Sequence, residues 1–398
     1  MTLFRAVPTA RPVAVLIGVL LVAANLRAAL AGYPPLLDSV REDLGVSAGV
    51  AGLVQAVAVV MMGVGSFAGP RMAGRSGRER AAVWAVAILT AGSLLRAVPA
   101  LAALVAGSVL VGLGIGLAGV LITGVVKDHL GERAGAVTGG YVVAMMIGAT
   151  VASAVAVPLA IGLGGWSLSL AFWAIPSALA AAVWWPIARR TPRPSAAERP
   201  APLPWRDPFA RLAAAYMATS SIQFYGVLTW LAPYYESLGW ERQRAALVLA
   251  VWSLVQIPAA LLVPAIAERR RRWTFWAGTT LALGASGTIG AILWPNLPVL
   301  GGWFWAGLMA IGVGAGFPLG LAVIAWRTPD GSASAAASGL ALGFGYVTTG
   351  FAPLLMGLLL DLTGHYSVAL GVLLVAAACQ ALAIRKIGNG ARAESPAR

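Results

Sequence analysis

Twelve apolar runs, most of them near the length of a bilayer-spanning helix, follow one another along this 398-residue chain. They fall near residues 12–33, 48–69, 82–99, 101–126, 134–162, 166–187, 209–232, 243–266, 274–295, 297–326, 333–360 and 366–385. About 20 apolar residues cross the hydrocarbon core as a helix, whereas a barrel strand needs only about 9–11. Inside lipid each backbone N–H and C=O must be paired within the protein, which a helix does by itself. The runs therefore predict an all-α membrane protein with twelve transmembrane helices. Composition agrees: 11% of residues are charged, against about 25% in a soluble domain.

The formal net charge of +14 is a nucleic-acid signal only if the basic residues share one surface. Here they sit in short segments between the runs, and the expected partners are the lipid bilayer and a small-molecule substrate, with no nucleic acid. Placing the N-terminus inside gathers 23 of the 28 Lys and Arg residues on one side. By the positive-inside rule both termini are expected to be cytoplasmic, in a multi-pass protein of a bacterial inner membrane. No small-residue cleavage site precedes Pro34, so the first run is read as a retained span. Cys379 is the single cysteine, and His129 and His365 are the two histidines. No disulfide, metal cluster or cofactor is expected, and a monomer is.

Residues 189–208 are rich in Pro, Arg and polar side chains and read as a cytoplasmic linker. They divide an N-terminal six-helix bundle, 1–188, from a C-terminal one, 209–398. An internal repeat supports this. Ala51-Gly52-Leu53-Val54 with Pro70, Ala73, Arg75 and Arg78 returns at a shift of 194 as Ala245-Ala246-Leu247-Val248 with Pro264, Ala267, Arg269 and Arg272. Gly112, Gly114, Gly116 and Lys127 return at a shift of 200 as Gly312, Gly314, Gly316 and Arg327. Aligning Pro35 with Pro233 sets Asn25 against Gln223 and Arg27 against Tyr225. Such a repeat predicts two pseudo-symmetric bundles related by an axis along the membrane normal. The glycines suit close helix contact in lipid, and no Walker spacing accompanies them.

Between spans 2 and 3 the chain keeps Arg75, Gly77, Arg78 and Arg80, and the second half has Glu268 followed by four arginines. With twelve spans in two halves, this resembles the major facilitator superfamily. Pro70 and Gly74 stand where that signature has a glycine and an acid, which removes a charge relay from the first loop. A closer resemblance is to the cyanate and nitroimidazole transporter family. It rests on Asn25-Leu26-Arg27, Pro35-Leu36-Leu37, Arg41, Leu44-Gly45-Val46-Ser47, Val126-Lys127, Thr229-Trp230-Leu231-Ala232-Pro233-Tyr234, Phe317-Pro318-Leu319, Gly345-Tyr346, Pro353 and Asp361-Leu362-Thr363-Gly364. Ala28 departs from the proline usual there. The resemblance implies the major facilitator fold and alternating-access transport of a small solute.

An arginine within a span costs about 2.5–3.5 kcal/mol on insertion scales, so it faces a cavity or has a partner. Arg27 is such a residue, and none of the 14 acidic residues lies well inside a span. Asp38, Glu42, Asp43, Glu236 and Glu241 are placed in outer loops and Asp361 at the outer end of span 11. Proton coupling through a buried carboxylate is therefore not expected. Arg27 is read as waiting for an anionic cargo, bound through its planar fork of donors; a structural, snorkelling arginine or a cryptic acid partner is the alternative. Substrate contacts are expected from Arg27, Tyr225 and Gln223. Asn25 points about 160° from Arg27 on a straight helix and divides between packing and ligand. Gln256, Trp252, Phe317, Tyr346, Tyr141 and Met145 are candidate cavity walls. Tyr33, Trp230 and Tyr234 are candidates for an outer gate, or for an aromatic belt. Lys127 and Arg327 form a candidate inner gate, or positive-inside anchors.

The expected function is a secondary transporter of a small, cyanate-like anion or a small polar or nitro-aromatic solute. A drug or metabolite exporter of the same superfamily is the alternative, although 139–158 lacks the glycine-proline antiporter motif. An enzyme is not expected, because no nucleophile, base and acid share one depth.

Overall fold

A computed structural model describes residues 12–130, 134–190, 204–270, 272–296, 300–328 and 331–393. Its long helices are α1 (Pro12–Ala31), α3 (Ala48–Ser76), α4 (Arg78–Leu95), α5 (Leu101–Leu130), α6 (Ala134–Leu163), α8 (Ala174–Arg190), α9 (Pro208–Ser237), α10 (Arg242–Arg270), α11 (Trp273–Leu293), α12 (Gly301–Arg327), α13 (Gly331–Thr363) and α14 (Tyr366–Ala393). Two short helices complete the set, α2 (Leu37–Leu44) and α7 (Trp166–Phe172), the latter continuing into α8 as one span. Among the described residues, ten spans are long and apolar enough to cross a membrane. The remaining two of the twelve are α4, which opens on Arg78-Glu79-Arg80, and α9, which carries Ser220, Ser221, Gln223 and Tyr225. Several helices outrun the apolar limits: α3 continues to Ser76 through Arg71 and Arg75, because arginine is a good helix former outside lipid. The connection expected at 189–208 lies mostly outside the described residues.

Helix pairings repeat between the halves. In the first, α1 packs on α6, α3 and α4 on α5, and α4 on α8; in the second, α9 packs on α13, α10 and α11 on α12, and α11 on α14. The halves meet through α3 with α13 and α6 with α10, again equivalent pairs. Twelve crossings return the chain to the face where it begins. The opposite face is called distal below, and the face where α1 begins and α14 ends proximal.

Small residues let these helices approach. At Gly112 and Gly116 of α5, a side chain would run into the Ala58 and Met62 carbonyls of α3. This is the close contact the glycine spacing predicted. The buried core is continuous between the halves toward the distal end, through Leu36, Trp230, Tyr234 and Met356. The proximal part of the second half, around Ala210, Ala267, Leu319, Ala337 and Ile387, packs as a separate cluster. The buried core thus joins the halves distally, while the proximal part of the second half has a core of its own.

Arg96 is 2% exposed at the C-cap of α4. It donates to the Ala29 carbonyl of α1 and to Ser108 Oγ of α5, both at 2.9 Å. The cation sits at the carbonyl ends of α1 and α4, where helix dipoles favour it. Arg96→Ala is expected to destabilise the protein by about 2–4 kcal/mol, from a cavity and an unpaired carbonyl. Arg96→Met should recover part of that loss by filling the volume. Thermal unfolding in detergent measures both, and equal melting of Arg96→Ala and the unsubstituted protein would contradict the assignment.

Candidate functional site

Arg27 stands on the last turns of α1 and faces α9 across the junction of the halves. Its Nη1 donates to the Tyr225 hydroxyl over a long 3.4 Å, and its guanidinium carbon lies 4.4 Å from the centre of the Phe224 ring. Nε has no partner, and none of the ion pairs among the described residues involves Arg27. A guanidinium over an aromatic face gains about 0.5–2 kcal/mol, which stabilises the cation without neutralising it. Most of its five donors stay available to a solute.

The surroundings are aromatic and come from both halves. The Tyr225 hydroxyl also touches Met62 Sδ of α3 at 3.7 Å. The Tyr225 ring meets Tyr346 of α13 edge-on at 6.3 Å, and Phe224 packs on Trp252 of α10 at 5.1 Å. The Tyr141 and Tyr346 hydroxyls lie within electrostatic reach of Arg27. One cation, hydroxyl donors and ring faces can hold a small planar or linear anion, with the charge on Arg27 and the body against aromatic carbon.

The contact between Arg27 and Tyr225 joins the two positions that the internal repeat pairs. Equivalent side chains that face the pseudo-symmetry axis meet across it. Asn25 and Gln223, also equivalent, turn the other way. Asn25 is 4% exposed and donates to Leu21 O at 2.8 Å and Pro176 O of α8 at 3.2 Å. Gln223 donates to Gln380 Oε1 of α14 and to Thr219 O. α8 and α14 are equivalent helices, so the pseudo-symmetry extends to these bonds. The structure therefore does not bring Asn25 and Gln223 together with Arg27: positions two apart on a straight helix face opposite ways.

Among the other candidates, Trp252 joins the aromatic wall through Phe224, its indole Nε1 unpartnered, and Tyr346 joins through Tyr225. Gln256 is 2% exposed, bonds to its own helix at Trp252 O and packs under Gly314. Phe317 packs against the proximal core cluster. At the distal end, Tyr33 donates to Ala51 O at 2.9 Å and Tyr234 to Ala291 O, each within its own half. Trp230 donates to Pro353 O at 3.1 Å, and its ring lies beneath Gly52 of the other half. Arg327 sits 5.4 Å from the Phe209 ring; the Lys127 side chain lies outside the described residues. Phe224 and Met62 were missed in the sequence. The signal for Phe224 was its place beside Tyr225, the symmetry partner of Arg27.

Two equivalent six-helix bundles around a cation-bearing junction define a multi-pass membrane transporter. The chain belongs to the Major Facilitator Superfamily, whose family model matches residues 15–317. Similar proteins include the uncharacterized transporter YycB of Bacillus subtilis (strain 168), 29% identical with 90% of this chain and 89% of that one covered. The 2-nitroimidazole transporter of Escherichia coli (strain K12) is 28% identical, with 89% and 90% covered. The cyanate transport protein CynX of the same organism is 29% identical, with 88% and 91% covered. These bear out the resemblance to cyanate and nitroimidazole transporters. Among solved structures, a D-xylose-proton symporter matches with a TM-score of 0.76 at 13% identity, covering 95% of this chain and 97% of that one. A bacterial homologue of the lysosomal transporter Spinster, inward-facing and occupied, matches with 0.76 at 18% identity, covering 96% and 98%.

Proposed function

We propose that this transporter moves a small anion, or a small polar nitro-aromatic solute, across a bacterial inner membrane by alternating access. The carrying observation is the Arg27 guanidinium, set among aromatic rings and hydroxyls contributed by both halves and paired with no carboxylate among the described residues. A solute anion supplies the missing counter-charge where the halves meet, so binding and rocking act on the same contacts. Arg327 adds positive charge at the proximal end of α12. Relatives named for cyanate and for 2-nitroimidazole fit a site of this chemistry.

Thermal-shift measurements on purified protein test the reading with cyanate, nitrate, formate, 2-nitroimidazole, xylose and choline. Ligand at 100 times its Kd stabilises the native state by about 2.7 kcal/mol, a shift of a few degrees. An anion or the nitroimidazole is expected to give it. A shift from xylose or choline alone would overturn the assignment.

A further inference from the structure

The distal rim holds a carboxylate that the sequence placed in a loop. Glu236 stands on the last turn of α9, beyond the apolar stretch ending at Ala232, and its side chain is 10% exposed. Its Oε2 accepts from Arg242 Nε of α10 at 3.1 Å, while Oε1 is buried with no partner. Arg242 reaches into the other half, donating to Ser39 Oγ at 2.8 Å and to Glu42 at 3.0 and 3.2 Å, all on α2. One guanidinium is thus shared between a buried acid of its own half and an exposed acid of the opposite half. Around it the seal is completed by Asp361 of α13, whose carboxylate accepts the Ala48 and Gly49 N–H groups at the start of α3 at 2.9 and 2.6 Å. Gln243 adds a bond from α10 to Ala154 O of α6.

We propose that Glu236 is a proton-binding site that couples the distal seal to pH, a proton there leaving Arg242 wholly to Ser39 and Glu42. This rests on the alternating-access reading, since it requires the halves to part at this end. The ligand is a hydronium-derived proton, and the receiving atom is the unpartnered Oε1. Facing Glu236 are Arg242 on α10, Asp38 and Glu42 on α2 with Arg41 beside them, and Tyr366 on α14.

Burial first, and then the negative charge of Asp38 and Glu42, push the Glu236 carboxyl up to about 7 against the pull of Arg242. When the halves part, water reaches the group and its pKa falls toward the ordinary 4.5. The sealed state therefore binds the proton more tightly than the open one. Sealing is favoured in full below about 4.5, and that favour is lost as pH rises through about 7. Between those limits the sealed-to-open ratio changes by up to about tenfold per pH unit.

Spin labels at Leu163→Cys on α6 and Leu238→Cys after α9, both exposed, report the distance across the distal rim in a Cys379→Ser background. Measured in nanodiscs from pH 5 to 8.5, the short-distance population is expected to grow several-fold as pH falls. Glu236→Gln, uncharged at every pH, should stay sealed and lose the pH response, and Glu236→Asp should retain it. Two populations whose ratio ignores pH in the unsubstituted protein overturn the proton site and leave alternating access standing. A pH response that survives in Glu236→Gln does the same. One unchanging distance in every sample overturns both.

Discussion

Arg27→Ala is expected to weaken binding of the solute by about 100-fold or more while the protein still folds. A hydrogen bond to a charged group contributes about 1.5–3 kcal/mol, and a planar anion on the guanidinium fork takes two. Folding is spared because Arg27 gives the native state only one long bond to Tyr225 and a place against the Phe224 and Tyr225 rings. Losing the ring contact costs about 1 kcal/mol. Arg27→Lys keeps the charge but not the fork and should lose about tenfold. Titration calorimetry with the anion that stabilises the unsubstituted protein measures all three. Unchanged affinity in Arg27→Ala would remove Arg27 from the site.

The second large effect is expected at Gly52. A side chain there would run into the Pro353 carbonyl of α13 and come within 3.2 Å of the Trp230 ring. Both belong to the other half, so Gly52→Val props the distal seal instead of disturbing one bundle. Overpacking costs about 1–3 kcal/mol, which shifts the balance of sealed and open states by roughly 5- to 150-fold toward the open one. Transport in liposomes should fall accordingly, with melting of the purified protein little changed. Gly52→Ala, smaller but still in the Pro353 carbonyl's path, should fall between. Transport by Gly52→Val equal to the unsubstituted protein would show that the distal end does not need this approach.

The site was partly legible before the structure. An arginine inside a span is costly wherever it stands, so Arg27 stands out in the sequence alone. The repeat named Tyr225 as its counterpart, and the two meet. The repeat also offers Gln223 as a contact, and helix geometry leaves Asn25 divided between packing and ligand; in the structure both bond away from Arg27, to α8 and α14. The sequence places Glu236 in an outer loop; in the structure α9 continues through it and buries the side chain beside Arg242 of α10.

By itself the sequence determined twelve helices, their order and their two-fold repetition. Lipid obliges each span to pair its own backbone groups, and that constraint is local to the span. Tertiary structure alone decided how each helix is rotated about its axis. In lipid, apolar residues surround a span on all sides and leave no polar face to mark its inward side, so side-chain packing against neighbours sets the rotation. That rotation put Phe224 over Arg27, turned Asn25 and Gln223 toward α8 and α14, and closed Arg96 and Glu236 away from water.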